Sequence, residues 1–270
     1  MYKPRWHAHA FLVSLLAILT AHSAPLGIMV PAYFYPSANG YWKDLDAAAT
    51  HVPLIVIMNP ASGPGQSRDK SYVRALSKLH HAGGKVIGYV HTAYGDRPLP
   101  EVENEIDRYL SFYALDGFFV DEMTNDENKD HLDYYASLYQ YIKSKGANYT
   151  VTGNPGCNTT EDYITRPTDD SLMIFEDNST NYVNFTPSQW VVRYSARQFV
   201  HLPYNVTTGT TMTNYVKLAV SRHAGWICIT DDTLPNPYKA LPSYWTNEVN
   251  LVQSFNRDGL PGALQQTAKR

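Results

Sequence analysis

Residues 117–122 read GFFVDE and residues 172–177 read LMIFED: two short apolar runs, each ending in a pair of carboxylates. Continuous apolar runs of this length, without strict alternation, are how strands buried on both faces of a parallel sheet read. Six similar runs surround them: LGIMVPAYFYP (26–36), PLIVIMNP (53–60), KVIGYVHTAYG (85–95), YTVTGNPG (149–156), RQFVHLPYNV (197–206) and GWICITDD (225–232). The acidic runs stand fourth (115–123) and sixth (172–178) in that series of eight.

The gaps between runs carry helical spacing. Val73, Leu76 and Leu79 repeat along 67–84, which closes on Gly83-Gly84. Segment 99–115 opens with Pro100 and acids, then sets Ile106, Leu110 and Tyr113 on one face. Leu132, Tyr135, Leu138, Tyr139 and Ile142 do the same along 131–146, and 210–223 and 243–257 follow suit. Helices over 40–51, 159–168 and 186–195 are shorter. Strand and helix thus alternate eight times, which predicts an α/β fold: a single-domain (β/α)8 barrel over 24–270, at about the usual 250 residues. An open doubly wound sheet would carry a Gly-rich phosphate turn after its first strand, where this chain has YFYPSANG (33–40).

Residues 1–23 read as a signal peptide. Lys3 and Arg5 are followed by the apolar AFLVSLLAIL (10–19), and Ala21-His22-Ser23 offers small residues for cleavage before Ala24. Ten apolar residues fall short of the roughly 20 that span a bilayer. Taking Lys3 and Arg5 from the 22 basic side chains leaves 20 against 25 acidic ones, a net charge of −5. That balance argues against nucleic acid or anionic membrane as a partner. A secreted, extracellular monomer is expected. Five sequons, at Asn148, Asn158, Asn178, Asn184 and Asn205, fit a eukaryotic secretory route with some of them glycosylated. The two cysteines, Cys157 and Cys228, belong to different βα units and are expected to stay unbridged.

In an alternating barrel the active site is built where the strands end. Those ends supply Tyr33 and Tyr35, Asn59, Tyr89 and His91, Asp121 and Glu122, Asn154, Glu176 and Asp177, Tyr204 and Asn205, then Asp231 and Asp232. Each alone has an ordinary structural use: a packed tyrosine, a hydrogen-bonded histidine, a helix cap at Asp232. Together, acids, amides and rings at one mouth describe a sugar site. Twenty-one tyrosines and only 17 % charged residues suit such a cleft. No HxxxH or CxxC spacing points to a metal, and no cofactor is expected. Neighbours on a strand face opposite ways, so only one of Asp121 and Glu122 can line the cleft while the strand persists. Glu176 and Asp177 pose the same choice. Glycoside cleavage needs one carboxyl protonated and one ionised, a division that repulsion and unequal burial produce.

These residues make the chain resemble the spherulin-like proteins, the spherulation-specific family four. The likeness rests on PAYFYPS (31–37), VPLIVIMNPASGPG (52–65), GGKVIGYVHTAYG (83–95), DGFFVDEM (116–123) and TGNPG (152–156), and runs from about residue 26 to 255. It implies a (β/α)8 barrel and an endo-acting glycoside hydrolase that cuts α-1,4-linked N-acetylgalactosamine stretches of a secreted galactosaminogalactan-type polysaccharide. It also implies functional carboxylates at Asp121, Glu122 and Glu176. On that mapping Asp121 is the nucleophile or stabilising carboxylate, Glu176 the general acid/base, and Glu122 a support for Asp121. Tyr33, Tyr35, Asn59, Tyr89, His91, Asn154, Tyr204 and Asp231 are substrate-binding candidates from strand-end position alone. Direct attack by a carboxylate and attack by the substrate's own N-acetyl group remain alternatives, as do retention and inversion. The rival function is a non-catalytic polysaccharide-binding or spore-wall protein on the same scaffold. A secreted esterase would want a G-x-S-x-G turn, which the sequence lacks.

Overall fold

The computed structural model describes residues 25–37 and 40–258; the expected signal peptide, 1–23, lies outside them. Eight parallel strands close on themselves: β1 (Gly27–Ala32), β2 (Leu54–Met58), β3 (Lys85–His91), β4 (Gly117–Asp121), β5 (Thr150–Gly153), β6 (Ser171–Asn178), β7 (Phe199–Tyr204) and β8 (Trp226–Ile227). The expected barrel is therefore present. Closure runs through Gly27 beside Trp226 and Ile28 beside Ile227. The continuous apolar runs mean what they suggested, since all five residues of β2, LIVIM, are buried between the barrel interior and the outer helices.

Among the described residues the outer layer comprises α1 (Trp42–Ala49), α2 (Lys70–His81), α3 (Leu99–Phe112), α4 (Lys129–Lys145), α5 (Asp162–Thr165), α6 (Ser179–Asn184), α7 (Gly209–Ser221) and α8 (Trp245–Asp258). Local chemistry sets several starts. Asp69 accepts from the Ser71 N–H, Asn128 from Asp130 and Thr208 from Thr211, each satisfying an amide that the first turn leaves free. The sixth unit departs from expectation. A helix was expected at 186–195, but that stretch holds only a 3₁₀ segment at Gln189–Arg193, and the helix lies earlier, at 179–184. Asn178 explains the early start, because its side-chain oxygen caps both Thr180 N and Asn181 N.

Strand β8 is also shorter than the expected 225–232. Its chain nevertheless stays bonded to the β7 side, with Cys228 N donating to His201 O and Thr230 N to Pro203 O. At the start of β4, Gly117 lets the backbones of β4 and β5 approach: a Cβ there would meet the Thr150 carbonyl oxygen at 2.0 Å. This close pairing brings the end of β4 alongside the end of β5. Both cysteines are free, Cys157 exposed and Cys228 buried.

Candidate active site

Asp121 is the last residue of β4, and His91 is its register partner at the end of β3. Asn154 follows β5 by one residue and continues its pleat, so the Asn154 amide faces the barrel mouth between β4 and β6. There its Nδ2 donates to Asp121 Oδ1 at 2.7 Å and to Glu176 Oε2 at 2.6 Å. One amide nitrogen carries two hydrogens, and here each serves a different carboxylate. Contacts of 2.7 and 2.6 Å to a common atom cap the separation of those two oxygens at their sum, 5.3 Å.

The second donor to Glu176 comes from elsewhere. Tyr238, in the loop between β8 and α8, donates its hydroxyl to Glu176 Oε1 at 2.7 Å. Its ring meets Tyr33 edge-on at 5.7 Å, and Tyr33 meets Tyr89 at the same distance and in the same manner. Three tyrosines thus wall the carboxylates on the β8, β1 and β3 sides. Burial is the largest influence on Glu176, and the Asp121 charge adds to it; the Tyr238 and Asn154 donors oppose both. The net effect pushes the Glu176 carboxyl up to about 7. Asp121 is raised as well, chiefly by burial, while Tyr89 and Asn154 beside it favour its ionised form. The cleft above them measures about 620 Å³ and takes in Tyr33, Asn59, Tyr89, Glu176, Tyr204 and Tyr238, with Leu234 to Pro237 along one edge.

The remaining expected residues take distinct places. Glu122 stands one residue past β4, in left-handed backbone (φ 53°), and turns from Asp121 to pair with His91 at 3.3 Å. The choice between these two acids is thus resolved with Asp121 toward Asn154. On β6 it is Glu176 that faces inward. Asp177 accepts from the backbone of Asn178, from Asn181 and from the Tyr204 hydroxyl. Asn59 lines the cleft while its Oδ1 accepts from Gly63 N, closing the turn after β2. Two candidates are corrected. Tyr35 points away from the cleft: its hydroxyl bonds Asp69 at the start of α2, and its ring lines a separate groove between α1 and α2. Asp231 holds the backbone N–H and hydroxyl of Ser243 ahead of α8. Strand pleat carried several residues past the end of a strand does not predict direction, and β1 stops three residues before Tyr35.

Of the sequons, Asn148, Asn184 and Asn205 are exposed, whereas Asn158 and Asn178 are half-buried with their amides engaged. Tyr238 is the cleft residue that sequence reading missed. It stands eleven positions beyond the end of β8, in a loop without periodicity, and the only local hint is a Tyr framed by the prolines of LPNPY (234–238).

A parallel eight-stranded barrel with two facing carboxylates in an aromatic-walled cleft at its C-terminal mouth is of the glycoside-hydrolase type. Solved barrels share the architecture. The β-1,4-D-mannanase of Cryptopygus antarcticus superposes with a TM-score of 0.52 at 9 % identity, over 86 % of this chain and 90 % of that one. The chain belongs to Spherulation-specific family 4, whose family model matches residues 27–252. It is 34 % identical to Spherulin-4 of Physarum polycephalum over 251 residues, 88 % of this chain and 74 % of that protein. Its barrel is also similar to the crystal structure of Aspergillus clavatus Sph3 in complex with GalNAc, with a TM-score of 0.74 and 25 % identity over 85 % of this chain and 98 % of that one.

Proposed function

We propose that this chain is a secreted, endo-acting glycoside hydrolase that cleaves α-1,4-linked N-acetylgalactosamine-containing polysaccharide. The observation that carries the proposal is the Asp121–Asn154–Glu176 bridge, two carboxylates held by one amide with Glu176 pushed up to about 7. An acid poised near neutrality protonates a leaving glycosidic oxygen and afterwards accepts a proton from water. Asp121, with Tyr89 and Asn154 favouring its ionised form, stabilises the positive charge that develops at the anomeric carbon. It does so either by attacking that carbon or by orienting the substrate's acetamide to attack it. The GalNAc bound by the similar Sph3 supports the choice of sugar. Export belongs to the same reading, with residues 1–23 removed before Ala24, and N-terminal sequencing of the secreted chain tests it.

The test of activity is product release from an N-acetylgalactosamine-containing polymer, followed by mass spectrometry, with Asp121→Asn and Glu176→Gln in parallel. N-acetylhexosamine oligomers from wild type, reduced on the order of 10²–10⁴-fold in both variants, are expected. Retention on the polymer without any products would instead mark a binding protein.

A further inference from the structure

The loop after β3 holds an aromatic ring that neither its backbone nor its packing accounts for. Ala93 (φ 49°), Tyr94 (φ 55°) and Gly95 (φ 86°) follow one another in left-handed backbone. The turn itself has a clear purpose: Tyr94 N donates to the Glu122 carbonyl at 2.7 Å, and Thr92 Oγ1 donates to the same oxygen at 2.8 Å, which ties the end of β3 to the end of β4. Glycine or asparagine meets that conformation at lower cost than a bulky aromatic residue. Packing does not compensate, because Tyr94 is 61 % exposed. Strain maintained in a loop at the C-terminal end of the strands, for a side chain the fold does not use, points to a ligand.

The barrel's closure says where that ligand runs. Tyr94 is tied to the end of β4, and Leu234, 63 % exposed, stands on the cleft edge contributed by the loop after β8. In a closed ring of eight strands, β4 and β8 are four places apart and face each other across the mouth. A linear chain running across the mouth from the β4 side to the β8 side would meet the loops that carry these two exposed residues. We propose that the Tyr94 ring is a stacking platform for a pyranose unit of the polysaccharide, outside the reacting pair of sugars and beyond Glu122. Flat C–H faces of a sugar suit an exposed ring, and the Glu122–His91 pair next to it offers partners for hydroxyls. This inference rests on the polysaccharide reading above and adds the position of a distal sugar.

The test is made in a Glu176→Gln background, which separates binding from turnover, with an α-1,4-N-acetylgalactosamine polymer and its disaccharide as probes. Tyr94→Gly removes the ring and suits the left-handed backbone; Tyr94→Phe keeps the ring. The ratio of polymer to disaccharide affinity is expected to fall about tenfold in Tyr94→Gly, the scale of one aromatic contact, and to stay within about twofold in Tyr94→Phe. The melting temperature of Tyr94→Gly is expected to match or exceed that of the parent, showing that the ring is kept for the ligand. Polymer bound equally well by parent and Tyr94→Gly would overturn the platform and leave the hydrolase reading intact. A parent protein that neither binds nor, with Glu176 restored, cleaves the polymer overturns both.

Discussion

Removing one hydroxyl, in Tyr238→Phe, tests the electrostatics of the site with little disturbance to its shape. The ring stays, and with it the edge-on contact to Tyr33 at 5.7 Å. What is lost is the 2.7 Å hydrogen bond to Glu176 Oε1. A hydrogen bond to a charged acceptor is worth about 1.5–3 kcal/mol, and each pKa unit corresponds to about 1.36 kcal/mol. The bond stabilises the carboxylate, so its loss favours the protonated form and raises the Glu176 pKa. Starting from about 7, the carboxyl is expected to climb by about one to two units. If Glu176 is the general acid, the alkaline limb of kcat/KM against pH reports its ionisation in the free enzyme. That limb should move toward higher pH by the same amount in Tyr238→Phe. Asn154→Ala removes the other donor to Glu176 and should move it in the same direction, with a larger loss of rate because Asp121 loses its positioning too. An alkaline limb unmoved in Tyr238→Phe, or moved toward lower pH, would refute the assignment of that limb to Glu176.

Two further outcomes follow from other parts of the molecule. Glu248 on α8 is fully buried; its Oε1 accepts from Ile229 N at 3.0 Å, its Oε2 has no partner among the described residues, and burial pushes it up to about 8. Its folded pKa lies above its unfolded one, so the stability it contributes is present at low pH and is lost as pH rises through about 8. Thermal melts from pH 5 to 9 should show wild type losing on the order of 4 kcal/mol relative to Glu248→Gln, and parallel curves would exclude the effect. Glycopeptide mass spectrometry of the chain secreted from a eukaryotic host should find Asn148 and Asn184 occupied and Asn178 bare. The Asn178 amide is committed to capping α6 and to Asp177, two residues from Glu176. Full occupancy of Asn178 would refute the argument that its amide is committed within the fold.

Strand ends were legible wherever the strand itself reaches the residue at the barrel mouth. GFFVDE and LMIFED carry their own direction, because the pleat alternates up to Asp121 and through Glu176, and β5 delivers Asn154 one step past its end. The same arithmetic failed at Tyr35 and Asp231, which stand three and four residues beyond the ends of β1 and β8, where local turn contacts decide direction. The sixth helix was misplaced for a related reason: a six-residue element started by Asn178 has too few turns to show a period.

By itself, then, the sequence determined the eight βα units, the barrel they close into, and the two strands that bring acids to its mouth, since hydrophobic periodicity and strand-end position are properties of contiguous residues. Only the tertiary structure decided that Asn154 spans Asp121 and Glu176, that Tyr238 reaches Glu176 across 62 positions of chain, and that Glu122 turns aside to His91. Those contacts follow from barrel closure, which sets the ends of β3 to β6 and the loop after β8 around one cleft. The pKa that suits Glu176 to its proposed role arises from that enclosure, and no local stretch of sequence encodes it.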